Sequence, residues 1–382
     1  MKLFACQRCH QILFFESVVC TRCGATLAYL EDRALVAAIE PVDPKVPPGP
    51  ERTWKPLAPA ATPGQGAATY RLCKNSVDYE VCNWAIPESE AAESPFCLPC
   101  RLNHVIPDLS DADAKAAWRR LEVAKRRVIY TLVQLNLPVE PRGPGYPHGL
   151  GFDFLKEGNG TPKVFTGHSD GLITINIAEA DDPFREKIRV QLGESYRTVL
   201  GHFRHEIGHY YWDRLIQDSK FLDAFRDKFG DERASYDEAR QRHYDNGPAA
   251  DWGTRYVSAY ASMHPWEDWA ETWAHYLHMV DTLETARAYG LELRPRPVAE
   301  PPKPKVAARK LDLNDFDELL DGWVPVTMAM NSLNRSMGTA DSYPFILSEV
   351  AIDKLRFVHQ VVGESSSEGD APASARRDQP QA

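Results

Sequence analysis

The stretch "HFRHEIGHYYWD", residues 202–213, decides how this chain of 382 residues is interpreted. It contains the pattern His-Glu-x-x-His at His205, Glu206 and His209. On a helix, residues four apart share one face, so both imidazoles can bind one Zn²⁺ while Glu206 reaches a water on that metal. The same pattern also occurs by chance in proteins that are not enzymes, so the stretch alone fits either a catalytic zinc helix or a surface helix rich in histidine, and a third ligand further along the chain decides between them. We place the helix within residues 194–217.

Two neighbouring residues refine this prediction. Gly208 lies inside the pattern, where a glycine costs about 1 kcal/mol of helix propensity and so needs a local reason. We expect the backbone of another element to approach closely at that point. His202 lies one turn before His205, and we place it outside the set of metal ligands.

A second helix, predicted over residues 266–288, offers acids that could complete the site. Glu267 and Glu271 lie four residues apart on one face. Two histidines and one glutamate form a catalytic zinc set that leaves the fourth position to water. The other acid can accept a hydrogen bond from the distal N–H of a liganding histidine. The spacing alone leaves open which of the two acids is the ligand.

All eight cysteines lie in the first 100 residues, in two sets of four. Cys-x-x-Cys pairs ten residues apart predict one structural zinc site, at Cys6, Cys9, Cys20 and Cys23. A second structural zinc site is predicted at Cys73, Cys82, Cys97 and Cys100. The alternative for Cys73 and Cys82 is that they are buried small apolar residues. No secretory signal is evident, and thiols in a reducing compartment more often bind metal than form disulfides.

Charge and hydropathy limit the partners that we expect. The formal net charge is −10, and residues 1–108 hold ten basic against twelve acidic residues before any thiolate is counted. Nucleic-acid binding normally needs a basic patch, so we expect no nucleic-acid partner. No apolar run approaches the ~20 residues of a membrane span, so we expect no membrane and a cytoplasmic location. The expected partners are a peptide or protein substrate and, through the zinc ribbons, possible protein partners.

Composition divides the chain into five segments. Eight prolines between residues 41 and 63 predict an extended linker, and a polar C-terminal stretch predicts disorder. The segments are a zinc ribbon, a Pro-rich linker, a second four-cysteine module, a main domain and a disordered tail, at residues 1–39, 40–69, 70–108, 109–362 and 363–382. Beyond the two helices above, the patterns predict helices near 110–135, 219–229, 231–244, 313–321 and 346–361, and a strand over 171–178.

The order of these motifs resembles known metallopeptidases. HExxH followed by a helix with E-x3-[ED] resembles the gluzincin metallopeptidases, and Tyr260…Glu267-Asp-Trp-Ala-Glu271 is similar to the end of the anthrax lethal factor catalytic domain. The chain also resembles a bacterial family of zinc-binding metallopeptidases with an N-terminal zinc ribbon. Segments that carry this likeness are "CNWAIP", "CRLNHVIPDLS", "GLITINIAEADD", "GHFRHEIGHYYWDRL" and "HPWEDWAETWAHYLHMVDTLETA". The resemblance implies an α+β fold, with zinc-ribbon modules before a mainly helical, zincin-like domain that has a small sheet.

The resemblance also implies a role for each matching residue. His205, His209 and Glu267 would hold the catalytic zinc, Glu206 would act as general base, and Glu271 would hydrogen-bond a ligand. Tyr260 would donate to the oxyanion, although three other tyrosines, Tyr236, Tyr244 and Tyr256, remain alternatives. The strand at 171–178 would be an edge strand that pairs with an extended peptide.

The resulting hypothesis is a zinc-dependent metallopeptidase with one catalytic and two structural Zn²⁺ ions. It would hydrolyse peptide bonds through a zinc-bound water activated by Glu206. The alternative is a non-catalytic zinc-ribbon protein with a binding or regulatory role and a vestigial HExxH site.

Overall fold

The structure is a computed structural model that describes residues 1–58, 68–158, 163–192, 196–296, 298 and 306–369. A cysteine-rich region with small sheets precedes a mainly helical region, so the predicted α+β class is confirmed. Among the described helices, none combines the length and the apolar character that crossing a membrane requires.

The first four cysteines lie in a short ribbon. Strands β1 (Phe4–Ala5) and β2 (Ile12–Leu13) form an antiparallel pair, and the first Cys-x-x-Cys pair lies in the turn between them. The second pair precedes Gly24, which has a φ of +70° and donates its N–H to the carbonyl of Cys20. Glycine adopts this left-handed conformation without steric cost, so the tight turn is possible there.

A closed barrel of five strands follows the ribbon. Its strands are β3 (Thr26–Leu30), β4 (Leu35–Pro41), β5 (Thr53–Pro56), β6 (Tyr70–Leu72) and β7 (Trp84–Pro87). β3 pairs with β4 in antiparallel and with β7 in parallel orientation. The barrel interior is filled by small aliphatic side chains together with Trp54 and Tyr70.

The barrel corrects two predictions. The interpretation of residues 40–69 as a linker is wrong for β5, because Trp54 is buried and the strand pairs with β4 and β6. Residues 59–67 of that predicted linker lie outside the described part of the chain. The segments 1–39 and 70–108 are also not separate modules, since strands from both close the same barrel.

A four-stranded sheet joins the cysteine-rich region to the helical region. After α1 (Lys74–Tyr79), α2 (Glu88–Ala91) and α3 (Leu98–Arg101) comes β8 (Asn103–Val105). β8 pairs in parallel with β9 (Gly151–Leu155), so the predicted boundary at residue 108 cuts across one sheet. The strand order is β10, β11, β9, β8, with β10 at Gly167–Ser169 and β11 at Leu172–Asn176.

The prediction that the strand at residues 171–178 is an edge strand is wrong. β11 corresponds to the strand predicted over residues 171–178, but it lies between β9 and β10. β10 turns back onto β11 through Asp170 and Gly171, both of which have positive φ, and pairs with it in antiparallel orientation. The edge strands of the sheet are therefore β10 and β8.

Helices form the rest of the structure. Asp111 caps the N-terminus of α4 (Ala112–Gln134), because its side chain accepts hydrogen bonds from the N–H groups of Asp113 and Ala114. The later helices are α5 (Asp182–Leu192), α6 (Val199–Leu215), α7 (Leu222–Phe229), α8 (Tyr236–Asn246), α9 (Trp252–Arg255), α10 (Pro265–Ala288), α11 (Phe316–Ser336) and α12 (Glu349–Gly369). A short pair, β12 (Glu292–Leu293) and β13 (Val306–Ala307), lies between α10 and α11.

Several helix bounds differ from the predictions, among them the start of α8, which begins at Tyr236 rather than near residue 231. α6 begins after the predicted residue 194, and residues 193–195 lie outside the described part. α11 continues to Ser336 rather than ending near 321, because its buried face extends through Trp323, Val326 and Thr327. α12 extends into the predicted tail as far as Gly369, and residues 370–382 lie outside the described part.

Candidate metal centre

The backbones of helices α6 and α10 are in close contact at Gly208. A Cβ built on this residue would lie 2.9 Å from the Cα of Ala270 and 3.2 Å from its carbonyl oxygen. The indole Nε1 of Trp269 donates to the Gly208 carbonyl at 2.8 Å. The expected close backbone approach is therefore confirmed, and it brings the HExxH pattern against the acids of α10.

Three side chains converge at this crossing. His205 Nε2 and His209 Nε2 are 3.2 Å apart. Glu267 Oε2 is 3.0 Å from His205 Nε2 and 3.5 Å from His209 Nε2, and its side chain is 2% exposed. Two imidazole nitrogens and one carboxylate oxygen aimed at a common point are a donor set that suits Zn²⁺.

Glu271 contacts the opposite side of His205. Its Oε1 lies 2.7 Å from His205 Nδ1, and its Oε2 accepts a hydrogen bond of 2.6 Å from Ser258 Oγ. Burial alone would raise the pKa of Glu271, but the hydrogen bond from His205 lowers it to about 2. An ionised Glu271 holds the proton of His205 on Nδ1 and leaves the Nε2 lone pair directed at the convergence point.

His209 has different surroundings. Its Nδ1 is buried and makes no hydrogen bond within the described residues. The ring of Trp266 lies over the His209 ring with centroids 3.8 Å apart, and the His168 ring is stacked at 6.3 Å. His209 is thus held mainly by ring contacts, whereas His205 is held by a carboxylate.

Two residues near His209 had no role in the sequence prediction. The side chain of His168, in β10, is 1% exposed. Its Nε2 accepts a hydrogen bond of 3.0 Å from the Gly171 N–H and lies 3.9 Å from Asp213 Oδ2. Burial lowers the pKa of His168 to about 3 and raises that of Asp213 to about 6. Asp213 follows His209 by four residues, a spacing that could have indicated a shared face. No sequence pattern indicated His168.

Tyr260 lies near His205, and Glu206 is the residue that follows His205 in α6. Glu206 is buried, and no hydrogen bond joins its carboxylate to another side chain of the described residues. The ring of Tyr260 lies 6.0 Å from the ring of His205. Burial and the negative charge of Glu267 hold the pKa of Tyr260 well above its usual range, so its phenol is a hydrogen-bond donor at neutral pH.

The three other tyrosines differ in their distance from the centre. Tyr236 donates its hydroxyl to Glu267 Oε1 at 2.8 Å. Tyr244 is 58% exposed, and the ring of Tyr256 lies under Lys354 Nζ at 4.3 Å. The structure thus brings Tyr260 and Tyr236 to the centre, and Tyr244 and Tyr256 do not join it.

The remaining histidines of α6 and α10 have structural partners. His202 Nδ1 lies 3.1 Å from Glu179 Oε2, away from the three converging side chains. His264 caps α10 by accepting from the Trp266 N–H at 3.1 Å. His275 Nδ1 lies 2.7 Å from the Tyr343 hydroxyl, and His278 packs among aromatic rings.

The cysteines form two compact clusters. In the first, Sγ atoms are 3.7 Å apart for Cys6 and Cys23 and 3.5 Å apart for Cys9 and Cys20. None of the eight is in a disulfide. Each cluster has four sulfurs within 4.8 Å of one another, an arrangement that suits a tetrahedral zinc site.

The second cluster is more deeply buried than the first. All four of its cysteines are buried, whereas Cys9 and Cys23 of the first are partly exposed. Backbone N–H groups of Cys97 and Trp84 point at the sulfurs of Cys73 and Cys82, at 3.5 and 3.4 Å. The structure therefore brings Cys73 and Cys82 together with Cys97 and Cys100, an arrangement that buried apolar cysteines would not require.

Two family models match this chain. One, described as "Putative zinc-binding metallo-peptidase", matches residues 114–361, and one described as a zinc-ribbon domain matches residues 3–111. The chain is 38% identical over 378 residues to proteins named as uncharacterized from Mycobacterium tuberculosis and Mycobacterium bovis, with 99% of each chain covered. No solved structure matches it at a significant level. One zinc-ribbon match spans both cysteine clusters, in agreement with their shared barrel.

Proposed function

This chain belongs to the zinc-binding metallo-peptidase family, and on that premise we propose that it hydrolyses peptide bonds at the centre formed by His205, His209 and Glu267. The single observation that carries the proposal is the convergence of two imidazole nitrogens and one carboxylate oxygen on one point. A Zn²⁺ held by these residues supplies Lewis-acid chemistry, because it polarises a carbonyl and lowers the pKa of water toward neutral.

Glu206 is proposed as the general base. Its carboxylate takes a proton from the attacking water as the water oxygen bonds to the peptide carbonyl carbon. It then delivers this proton to the leaving nitrogen as the C–N bond breaks, so the products are an amine and a carboxylic acid, which then loses its remaining proton to solvent or to the amine. A buried carboxylate without a side-chain hydrogen bond supports this role, since its oxygens are available to a water.

Tyr260 is proposed to stabilise the tetrahedral intermediate. Its protonated phenol lies beside His205 and can donate a hydrogen bond to the oxyanion. Tyr236 is less suited to this role, because its hydroxyl already donates to Glu267. Its proposed role is to orient Glu267 so that Oε2 faces the two histidines.

Glu271 and Ser258 are proposed to position His205. The hydrogen bond from Ser258 fixes the Glu271 carboxylate, and Glu271 in turn fixes the ring and tautomer of His205. Such partners commonly change metal affinity or activity by about 10–100-fold when they are removed.

The substrate is proposed to be a peptide or protein segment in extended conformation. β10 is one of the two edge strands of the four-stranded sheet, and it carries His168, whose ring stacks with the ring of His209. An extended segment could pair with this edge and pass the centre, with its main-chain groups hydrogen-bonded to the strand.

We further propose three zinc ions per chain, one at this centre and one at each cysteine cluster. The test uses purified full-length protein and a mixture of unstructured peptides. Hydrolysis should disappear when a chelator removes one zinc per chain, and it should return when Zn²⁺ is restored. A protein that holds zinc only at its cysteines and cleaves no peptide would instead be the non-catalytic alternative.

A further inference from the structure

The second cysteine cluster is built into the helical region. Cys100 lies in α3, and β8 begins at Asn103 and pairs with β9. The sheet that starts with β8 ends at β10, beside His209. A change in the position of this cluster would therefore act directly on the sheet that borders the candidate metal centre.

Three charged side chains of α4 are buried next to this cluster. The side chains of Glu122 and Lys125 are 0% exposed, and that of Arg126 is 4% exposed. Lys125 Nζ lies 2.6 Å from Glu122 Oε1, and Arg126 Nη1 lies 3.5 Å from Glu122 Oε2. One carboxylate faces two cations, so these three residues leave one positive charge without a counter-charge among themselves. A buried charge of this kind is costly unless it is compensated nearby.

The cysteine cluster is the partner that faces Arg126. Its Nη1 donates to the carbonyl of Val81, the residue directly before Cys82. The guanidinium also interacts electrostatically with Cys82, Cys97 and Cys100. Its Nε is buried and makes no hydrogen bond within the described residues. Four thiolates around one Zn²⁺ have two negative charges in excess, which is the sign that a buried guanidinium requires.

We propose that Arg126 is the internal counter-ion of a zinc ion held by Cys73, Cys82, Cys97 and Cys100. In this arrangement the second zinc centre belongs to the core of the peptidase region, and its zinc stabilises the sheet from β8 to β10. The proposal requires zinc at this cluster, but it does not depend on peptide hydrolysis.

The first cluster provides a natural contrast. Arg22 contacts this cluster from an exposed position, where its Nη1 donates to the Cys9 carbonyl at 3.3 Å. Exposed charges are screened by solvent, so Arg22 should add little to the retention of zinc there.

The test compares two substitutions that differ in charge. Arg126→Lys and Arg126→Gln both keep a donor for the Val81 carbonyl, but only lysine keeps the positive charge. Full-length proteins are loaded with zinc, and its release to a metallochromic chelator is followed over time. Cysteines that become alkylated are identified by mass spectrometry, which assigns each release to a cluster. Arg22→Gln is the control.

Arg126→Gln should release zinc from the second cluster about 10–100-fold faster than wild type, and Arg126→Lys should stay within about threefold. Arg22→Gln should match wild type at both clusters. Equal release rates for the glutamine and lysine variants would overturn the proposal, as would a wild-type protein whose second cluster is alkylated as fast as free thiols. If the glutamine variant does not fold, a hundredfold faster release in the lysine variant would still overturn it.

Discussion

Gly208 of α6 and Ala270 of α10 lie so close together that no side chain fits between them. This contact sets the separation of the two helices that carry the converging side chains. It also explains a residue that helix propensity disfavours, because any Cβ at position 208 would push α10 and its Glu267 away from His205 and His209.

Gly208→Ala should therefore damage both stability and metal binding. Overpacking against a backbone costs about 1–3 kcal/mol, which exceeds the gain in helix propensity of about 1 kcal/mol. Urea unfolding and zinc titration would measure the two effects. Gly363→Ala in α12 is the matched control, since its Cβ would meet nothing within 4 Å and should be neutral or slightly stabilising. A fully stable Gly208→Ala variant with wild-type zinc affinity would contradict this explanation.

Glu271→Gln should weaken zinc binding at the candidate centre by about 10–100-fold. A neutral amide can present its N–H rather than its oxygen to His205, and it no longer favours the Nδ1–H tautomer. Ser258→Ala should have a smaller effect in the same direction, because it removes only the hydrogen bond that orients Glu271. Competition against a chelator of known affinity gives both values. An effect of Ser258→Ala larger than that of Glu271→Gln would be inconsistent with this order.

Replacement of Tyr260 and of Tyr236 by phenylalanine should affect different measured quantities, kcat for the first and zinc affinity for the second. Tyr260→Phe should lower kcat about 100-fold or more with little change in zinc content, because an oxyanion donor acts in the transition state. Tyr236→Phe should weaken zinc binding instead, since its hydroxyl contacts Glu267. Tyr244→Phe, at an exposed position, is the control. If Tyr260→Phe kept full kcat and Tyr236→Phe lost it, the two roles would have to be exchanged.

Acid should destabilise the fold through His278, which packs among the aromatic rings of Trp323 and Tyr343. Burial lowers the pKa of His278 to about 3, so its neutral form is favoured in the folded protein. The unfolded chain binds this proton near pH 6.5, so stability falls as the pH drops below that value. Between pH 7 and pH 5, His278 should account for about 2 kcal/mol of lost stability.

The measurement is urea unfolding of wild type and His278→Phe at both pH values. The variant should lose about 2 kcal/mol less than wild type on acidification. Tyr244→Phe, at an exposed position and with no group that titrates between pH 5 and pH 7, is the control and should follow wild type. An identical loss in wild type and His278→Phe would show that His278 is not the source.

The sequence predicted those groups of site residues that lie a few positions apart on one helix. His205, Glu206 and His209 lie on one helix, and Glu267 and Glu271 lie on another, so helical periodicity was sufficient to propose each face. The spacing could not choose between Glu267 and Glu271, because both acids lie on the same face of α10. The proposed choice of Glu267 rests on the distances of the two acids to the two nitrogens of His205, and these distances depend on how the helices cross.

The parts that the sequence missed depend on contacts distant along the chain. β5 contains only four residues among many prolines, and its strand conformation depends on pairing with β4 and β6. β8 and β10 have three residues each, too few to show an alternating pattern. His168 is near His209 only because β10 folds back onto β11. A local sequence pattern does not predict pairing between distant strands. The shared barrel and the edge strands β10 and β8 are therefore known only from the structure.

The central claim is that Glu206 acts as the base of a zinc peptidase, and the most direct test is kcat/KM for peptide hydrolysis by Glu206→Gln. Wild type and Glu206→Gln are compared at equal zinc content. Glu349→Gln, at an exposed position of α12, is the control. The account predicts a fall of about 100-fold or more for Glu206→Gln with its zinc retained, and no change for the control. Full peptidase activity in Glu206→Gln would contradict it.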